Sequence, residues 1–383
     1  MPLFFRARYR TLNTVRVSGE ALCHNLNLYR TLFPDKKICP VLKANAYGHG
    51  LVEVAKALRN FAMENFLIVD SLYEAYSLQK AGIRSPILIL GYTFPENLRG
   101  RRLPFHFAVS DIESVKVLAK QGAKLHLKID TGMNRMGFSV EELPVMLMEL
   151  KSLKAEIAGV LTHLADADHP DWGGDAGDGL SYTVEQLTKF KEAVELVRGA
   201  GFSPQWIHAG QTAGAFAQQN FLQKHGDFLN TIRLGIGLYG ISPGASVALR
   251  DLRPAMEVVS TVAGIRHLKP GDRVSYNGTF TAKRVMTLAV VPFGYYEGLP
   301  RALSNRGCMR IKGVVCPILG RVCMNYTMVD ASAVPGLAIG DEVEVYSRDP
   351  GAPNSIAALA KLADTISYEL MVRVAESVRR DVV

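Results

Sequence analysis

Between Ile38 and Gly240 two hydrophobic patterns alternate. Eight short apolar runs rich in β-branched residues recur: ICPVLKA, NFLIVDS, SPILILG, FHFAVS, AKLHLKID, IAGVLTHL, QWIHAG and TIRLGIGLYG. Between most of them apolar residues return every three or four positions, in LVEVAKALRNF, LYEAYSLQKAG, IESVKVLAKQG, EELPVMLMELKSL and VEQLTKFKEAVELVRGAG. That is the period of a helix with one buried face. Gly82, Gly122 and either Gly199 or Gly201 stand where helix C-caps are expected. Strand–helix alternation repeated eight times predicts a (β/α)8 barrel, an α/β fold. A doubly wound sheet is the rival, and the short third and seventh helical segments, PENLRG and TAGAFAQQN, weaken the barrel reading.

After about Ser242 the grammar changes to short period-2 strands separated by the turn signals KPGD, SYNGT, IKG and IGDEVEV. The next long helical pattern is SIAALAKLADTISYELMVRVAES at 355–377, so a mostly-β second domain closed by one helix is expected. The expected division is 1–245 for the barrel and 246–383 for the β domain. TLNTVRVS, within the first 18 residues, is strand-like and a candidate to join the β domain's sheet. The acidic, Gly-rich segment 166–179 lacks the spacing of an EF-hand and reads as a surface loop.

The length of 383 residues fits two domains at roughly 150 residues each. With 48% hydrophobic and 21% charged residues the chain is neither disordered nor fibrous. The net charge of +8 is thinly spread, with basic clusters only at RGRR (99–102) and VRR (378–380). Neither is interleaved with aromatics, so no nucleic acid is expected, and a surface that attracts anionic ligands is. Five scattered cysteines without a CxxC pair point to a reducing, cytoplasmic compartment rather than a disulfide framework or zinc site, and no metal is expected. No apolar run has the length of a signal peptide or a membrane span, so no membrane association is expected.

In a barrel, active residues stand at the C-terminal ends of the strands. There the sequence places Lys43, Lys128 leading to Arg135, His163, His208 and Arg233. Lys43 sits in a run, Val41-Leu42-Lys43-Ala44, that should be buried, and burial lowers an amine's pKa toward the free base that Schiff-base chemistry requires. Gly235-Ile236-Gly237 lets backbone N–H groups approach an anion, as a barrel phosphate loop does. Lysine, phosphate loop and arginine together suggest pyridoxal phosphate, with a sugar-phosphate aldolase or isomerase as the alternative.

Several segments resemble alanine racemases: VLKANAYGHG (41–50), IDTGMNRMGF (129–138), the LTHL run ending at Asp168, RLGIGLYG (233–240), VPFGYYEGLPR (291–301), GRVCMNYTMVD (320–330) and ISYELMVR (366–373). They follow the family's order along most of the chain. The resemblance implies a homodimer with shared active sites that racemises alanine with pyridoxal 5′-phosphate and supplies D-alanine for peptidoglycan. It implies that Lys43 carries the cofactor and acts as the base on the D-isomer, and that Tyr295 of the partner subunit is the base on the L-isomer. Arg135 would bind the cofactor phenolate and the substrate carboxylate, and Arg233 the pyridine nitrogen. Tyr47, Thr212, Gly235, Ile236 and Tyr368 match phosphate contacts, and His163 and His208 a hydrogen-bonded set behind the ring. Met324 offers a backbone N–H to the substrate carboxylate, beside Asn325. Lys128 aligns with a lysine often carbamylated in that family, where the carboxylate orients the counterpart of Arg135.

Racemisation needs proton removal on one face and return on the other, hence two bases. An arginine at the ring nitrogen does not give up its proton, so it weakens the electron sink and disfavours transamination. The sequence departs from the family at Asn325, where an Asp is usual, at Gln211-Thr212 in place of AsnSer, and at Tyr296-Glu297. An amide for a carboxylate near the substrate side chain suggests acceptance of serine or a larger amino acid. Two other readings are a barrel-type decarboxylase, against which Arg233 and the lack of a CysAspGly motif argue, and a non-catalytic cofactor carrier. The extra domain with Tyr295 argues against the carrier.

Overall fold

The computed structural model describes residues 9–59, 65–99, 103–167, 179–242 and 249–383. The junction expected between 245 and 246, Asp168, most of the acidic loop and Arg101-Arg102 lie outside the described residues. The chain divides into two compact units. One comprises Leu22–Ala46 and Ala55–Leu252, the other Arg253–Val383 with Tyr47–Val54 and the described part of the first 21 residues.

The first described strand, β1 (Thr14–Val17), pairs antiparallel with Met256–Thr261 and parallel with Arg379–Val382. It belongs to a six-stranded sheet completed by Glu342–Tyr346, Cys308–Ile311 and Val314–Pro317. A separate three-stranded sheet joins Gly264–Leu268, Met286–Val291 and Thr327–Asp330. Met286 and Leu288 of its central strand pack with Val274, Ala282 and Leu319 in a small core. The single closing helix expected over 355–377 is two helices, Ile356–Leu362 and Ser367–Val372. Asp364 between them takes a left-handed φ of 57°, and Thr365 N–H bonds back to Ala360 O at 3.0 Å. That is a Schellman-type stop, which apolar periodicity does not register.

The other unit holds β2 (Lys37–Pro40), β3 (Leu67–Val69), β4 (Ile87–Ile89), β5 (His106–Val109), β6 (Lys124–Lys128), β7 (Glu156–Leu161), β8 (Trp206–His208) and β9 (Thr231–Leu234). β3 to β8 form a parallel sheet in sequence order, and β2 pairs parallel with β9. The ring closes where Leu42 N–H bonds to Ile68 O at 2.7 Å and where Asn230 N–H bonds to Ile207 O at 3.1 Å. Eight parallel strands therefore form the barrel, and the doubly wound alternative is excluded.

Helices cover the barrel for sequence reasons. Ser71 and Asp111 cap Leu72–Lys80 and Ile112–Ala119 by accepting from the backbone N–H three residues on. Gly82, Gly122 and Gly201, not Gly199, carry the left-handed turn after their helices. In each case the next residue's N–H reaches back five positions (Ile83 to Leu78, Ala123 to Leu118, Phe202 to Val197). Gly179–Gly199 buries Leu187, Phe190, Ala193, Val194 and Val197 at three- and four-residue spacing. The third helical segment is one turn, Pro95–Leu98, whereas the seventh extends to Gly214–His225.

Candidate active site

Lys43 stands three residues beyond β2. There the chain winds through Ala44, Asn45 and Ala46 at φ of 55°, 55° and 52°, followed by Tyr47 at 52°. A left-handed residue other than glycine costs about 1–2 kcal/mol. Ala46 N–H on Leu42 O at 2.7 Å holds the turn, with Asn45 N–H on Glu74 Oε1 at 3.3 Å. Glu74, itself buried, also accepts from Asp70 N–H at 2.8 Å. The turn carries the backbone away from the strand, so Lys43 is half-buried and Ala44 exposed, where the run of apolar neighbours suggests full burial.

β9 pairs with β2 so that Arg233 opposes Cys39, bringing its strand alongside the one that leads to Lys43. The Arg233 side chain is buried and its two terminal nitrogens meet five acceptors. Nη1 donates to His208 O at 2.9 Å and to His208 Nδ1 at 3.0 Å. Nη2 donates to Thr162 O and Ala209 O at 2.8 Å and to His163 Nδ1 at 3.2 Å. Because a guanidinium only donates, both histidines present an unprotonated Nδ1 to it. Burial, followed by the charge of Arg233, holds both rings neutral, with His163 pushed down to about 3 and His208 well below its usual range. Arg135, Lys43 and Lys128 add to the effect on His163, so these cations share one neighbourhood. His126 and His106 extend the network, and the sequence pattern does not single them out. The available signal is that His126 precedes Lys128 by two residues, on the same face of β6.

Lys128 ends β6, and burial pushes its amine down to about 8, with Arg135 and Arg233 contributing and Asp70 opposing. Beyond it Asp130 organises the turn that delivers Arg135. Oδ1 accepts from Gly132 and Asn134 N–H at 2.9 and 3.0 Å, and Oδ2 from Arg135 N–H at 3.0 Å. Tyr182 OH bonds Gly132 O at 2.6 Å from the neighbouring helix. Arg135 itself is exposed.

At the end of β9, Gly235 and Ile236 open a short 3-10 turn, Ile236–Tyr239. Thr212, also buried, accepts Gly237 N–H on its hydroxyl at 3.1 Å. A Cβ at Gly237 would lie 2.8 Å from Thr212 Cγ2, so a side chain there would displace the threonine. Thr212, from the loop after β8, and the glycine turn at the end of the strand that carries Arg233 are thus one assembly.

In the other unit the Tyr47 and Tyr368 rings lie 6.0 Å apart. Tyr295 and Met324 are exposed, on two segments tied together by Tyr295 N–H to Cys323 O at 3.0 Å and Tyr296 N–H to Met324 O at 2.9 Å. Asn325 gives its side-chain amide to Glu297 at 2.8 Å. Glu297, a buried carboxylate that the sequence marks only as a departure, also accepts Gly294 N–H at 2.8 Å.

The alanine racemase N-terminal domain model matches residues 17–243 and the C-terminal domain model residues 255–382. Alanine racemase of Sorangium cellulosum is 37% identical, over 94% of this chain and 96% of its own length. That of Geobacter sulfurreducens is 35% identical, over 95% of each. Alanine racemase from Bacillus anthracis, solved with bound L-Ala-P, superposes with a TM-score of 0.83 at 31% identity, covering 97% of this chain and 95% of that one. The enzyme from Streptomyces lavendulae gives 0.85 at 26% identity, over 98% of both. With both domain models matched in order over nearly all of its length, the chain belongs to the alanine racemase family.

Proposed function

We propose that the chain interconverts L- and D-alanine with pyridoxal 5′-phosphate, as a homodimer in which Lys43 and Tyr295 of the partner subunit exchange protons with the substrate's α-carbon. The observation that carries this reading is the buried Arg233 held by two neutral histidines at the mouth of the barrel. The donor set fits the group: a glycine turn with a buried threonine hydroxyl suits a phosphate, Arg233 a ring nitrogen, and Lys43 an aldehyde. Gly235, Ile236 and Thr212 would hold the phosphate, and Tyr47 and Tyr368 match further phosphate contacts of the family.

When bound, the cofactor supplies an electron sink that acidifies the substrate's α-C–H bond. Lys43 Nζ takes or returns the proton on one face and the Tyr295 hydroxyl of the partner subunit on the other. Arg233 keeps its proton, which tempers the sink and favours rapid return of a proton to carbon. Arg135 would bind the substrate carboxylate together with the backbone N–H of Met324 of the partner subunit. Lys128, with an amine pushed down to about 8, is neutral often enough to take up carbon dioxide, losing a proton and gaining a carboxylate. Among Arg135, Arg233 and Lys43 that anion is favoured, and it would hold Arg135 in place.

Asn325 motivates a broader specificity, with serine as second substrate, but its amide is donated to Glu297. Alanine is therefore the substrate we argue for. The proposed setting, cytoplasmic supply of D-alanine for peptidoglycan, rests on the family. The described cysteines are free, and no helix among the described residues is long and apolar enough to cross a membrane.

Borohydride reduction of the cofactor-loaded protein, followed by peptide mapping, should place the adduct on Lys43. A panel of single-enantiomer amino acids, followed by loss of optical rotation, should show alanine turned over fastest. An adduct elsewhere, or carbon dioxide release in place of racemisation, would remove the proposal.

A further inference from the structure

The Arg233–His208 contact is the first link of a longer chain. His208 Nε2 lies 3.0 Å from His126 Nδ1, and His126 Nε2 lies 3.0 Å from His106 Nδ1. The four side chains come from β9, β8, β6 and β5, so the chain crosses the barrel interior from the mouth to the first residue of β5. His208 and His126 are fully buried. Phe66 flanks all three imidazoles, with ring centroids 5.4 to 6.1 Å away. Room for His126 is made by the absence of a side chain on β7: a Cβ at Gly159 would sit 2.3 Å from His126 Nδ1.

Donor counting fixes the direction of every bond. Arg233 donates to His208 Nδ1, so neutral His208 carries its proton on Nε2 and donates to His126 Nδ1. His126 then carries its proton on Nε2 and donates to His106 Nδ1, which leaves the His106 proton on its own Nε2. The chain has one polarity, set at one end by a group that never accepts. Reversing any ring places two N–H groups face to face, and the conflict passes along the chain to Arg233. Burial first, and then Lys124 near His106 and Arg233 near the other two rings, disfavour an added proton.

We propose that His126 and His106 are positioning residues: a one-way relay of neutral imidazoles that gives the His208 Nε2–H its acceptor, fixes the orientation of that ring and thereby holds the Arg233 guanidinium toward the mouth of the barrel. The proposal rests on the assignment of Arg233 to the cofactor ring, and its test has an arm that does not. Without cofactor, 15N–1H correlation of histidine-labelled protein at pH 7 should show the Nε2–H tautomer at 106, 126 and 208. In His126→Phe, which keeps a ring but removes both nitrogens, His208 should keep its Nε2–H tautomer under Arg233, but that N–H should lose its hydrogen-bonded chemical shift and exchange faster with solvent.

With pyridoxal 5′-phosphate bound, the same variant should shift the absorption band of the bound cofactor. It should also lower racemisation kcat/KM by roughly 10- to 100-fold, the range that loss of an orienting partner costs in metal sites. His126→Gln, which restores a donor and an acceptor, should recover part of both. A cationic ring or an Nδ1–H tautomer at 208 in the wild-type chain overturns the relay. A cooperatively folded His126→Phe with unchanged cofactor band and kcat/KM overturns the positioning role. Absence of cofactor binding in the wild-type protein would instead overturn the functional reading and leave the tautomer result standing.

Discussion

Asn325 Nδ2 donates to Glu297 Oε1 at 2.8 Å, and the other oxygen of that carboxylate holds Gly294 N–H at the same distance. Gly294 immediately precedes Tyr295, so this carboxylate anchors the turn that presents the tyrosine. An amide at 325 offers the buried glutamate a donor where a carboxylate would offer only acceptors. Asn325→Asp would set two carboxylates against each other, and one would retain a proton. That group's folded pKa lies above its unfolded value near 4, so the folded state binds the extra proton and loses stability as pH rises through the raised pKa. The expected cost is about 1–3 kcal/mol at pH 8, largely recovered at pH 5. Urea midpoints at the two pH values test it, and equal losses at both would count against the pairing.

The left-handed turn after Lys43 predicts a stabilising substitution. Ala44 is exposed and has a φ of 55° and a ψ of 51°. Glycine relieves about 1–2 kcal/mol of steric cost and gives back about 0.4–1 kcal/mol through the freer unfolded chain. Ala44→Gly should therefore raise stability by up to about 1.5 kcal/mol. A lower urea midpoint would show that the strain is already relaxed. Should catalysis depend on a rigid turn, the same variant would lower kcat while raising that midpoint.

Much of the barrel is legible because its signals are local. Short apolar β-branched runs and amphipathic helices with capping residues such as Ser71 and Asp111 carry their own geometry. Residues at strand ends, Lys43, His208 and Arg233, stand out for the same reason. What escapes is set by contacts far apart in sequence. His106 is one of two histidines in adjacent strands until β6 brings His126 within 3.0 Å of it. Glu297 looks like a conservative exchange until Asn325 is seen to face it. The left-handed turn escapes too, since the two alanines around Asn45 read as helix formers and say nothing of handedness. The split helix at Asp364 was hidden in the same way, by apolar periodicity that continues across the stop.

Removing the proposed second base gives a directional prediction. Tyr295→Phe keeps the ring and its surface position and removes only the hydroxyl. Deletion of a general acid–base group costs roughly 10²–10⁴ in rate, so racemisation should fall by that factor while cofactor binding is retained. Deuterium exchange at the α-carbon separates the two faces. Exchange from D-alanine, assigned to Lys43, should outlast exchange from L-alanine. Equal loss from both enantiomers would argue for a single base.

Four neutral histidines predict how the protein responds to acid. His106 is held down to about 4 and His163 to about 3, with His126 and His208 lower than their usual range, all chiefly by burial. In the unfolded chain each titrates near 6.5. As pH falls below that value the unfolded state takes up protons that the folded state refuses, and stability drops. Each histidine contributes a slope of up to about 1.4 kcal/mol per pH unit, continuing down to the folded pKa, near 4 for His106. Above pH 7.5 these groups contribute no slope. His106→Phe removes one of them, so its loss of stability between pH 6.5 and 4.5 should be shallower than that of the parent by about one proton's worth. Parallel curves of urea stability against pH would mean that His106 is protonated in the folded protein, and the neutral network behind Arg233 would then end at His126.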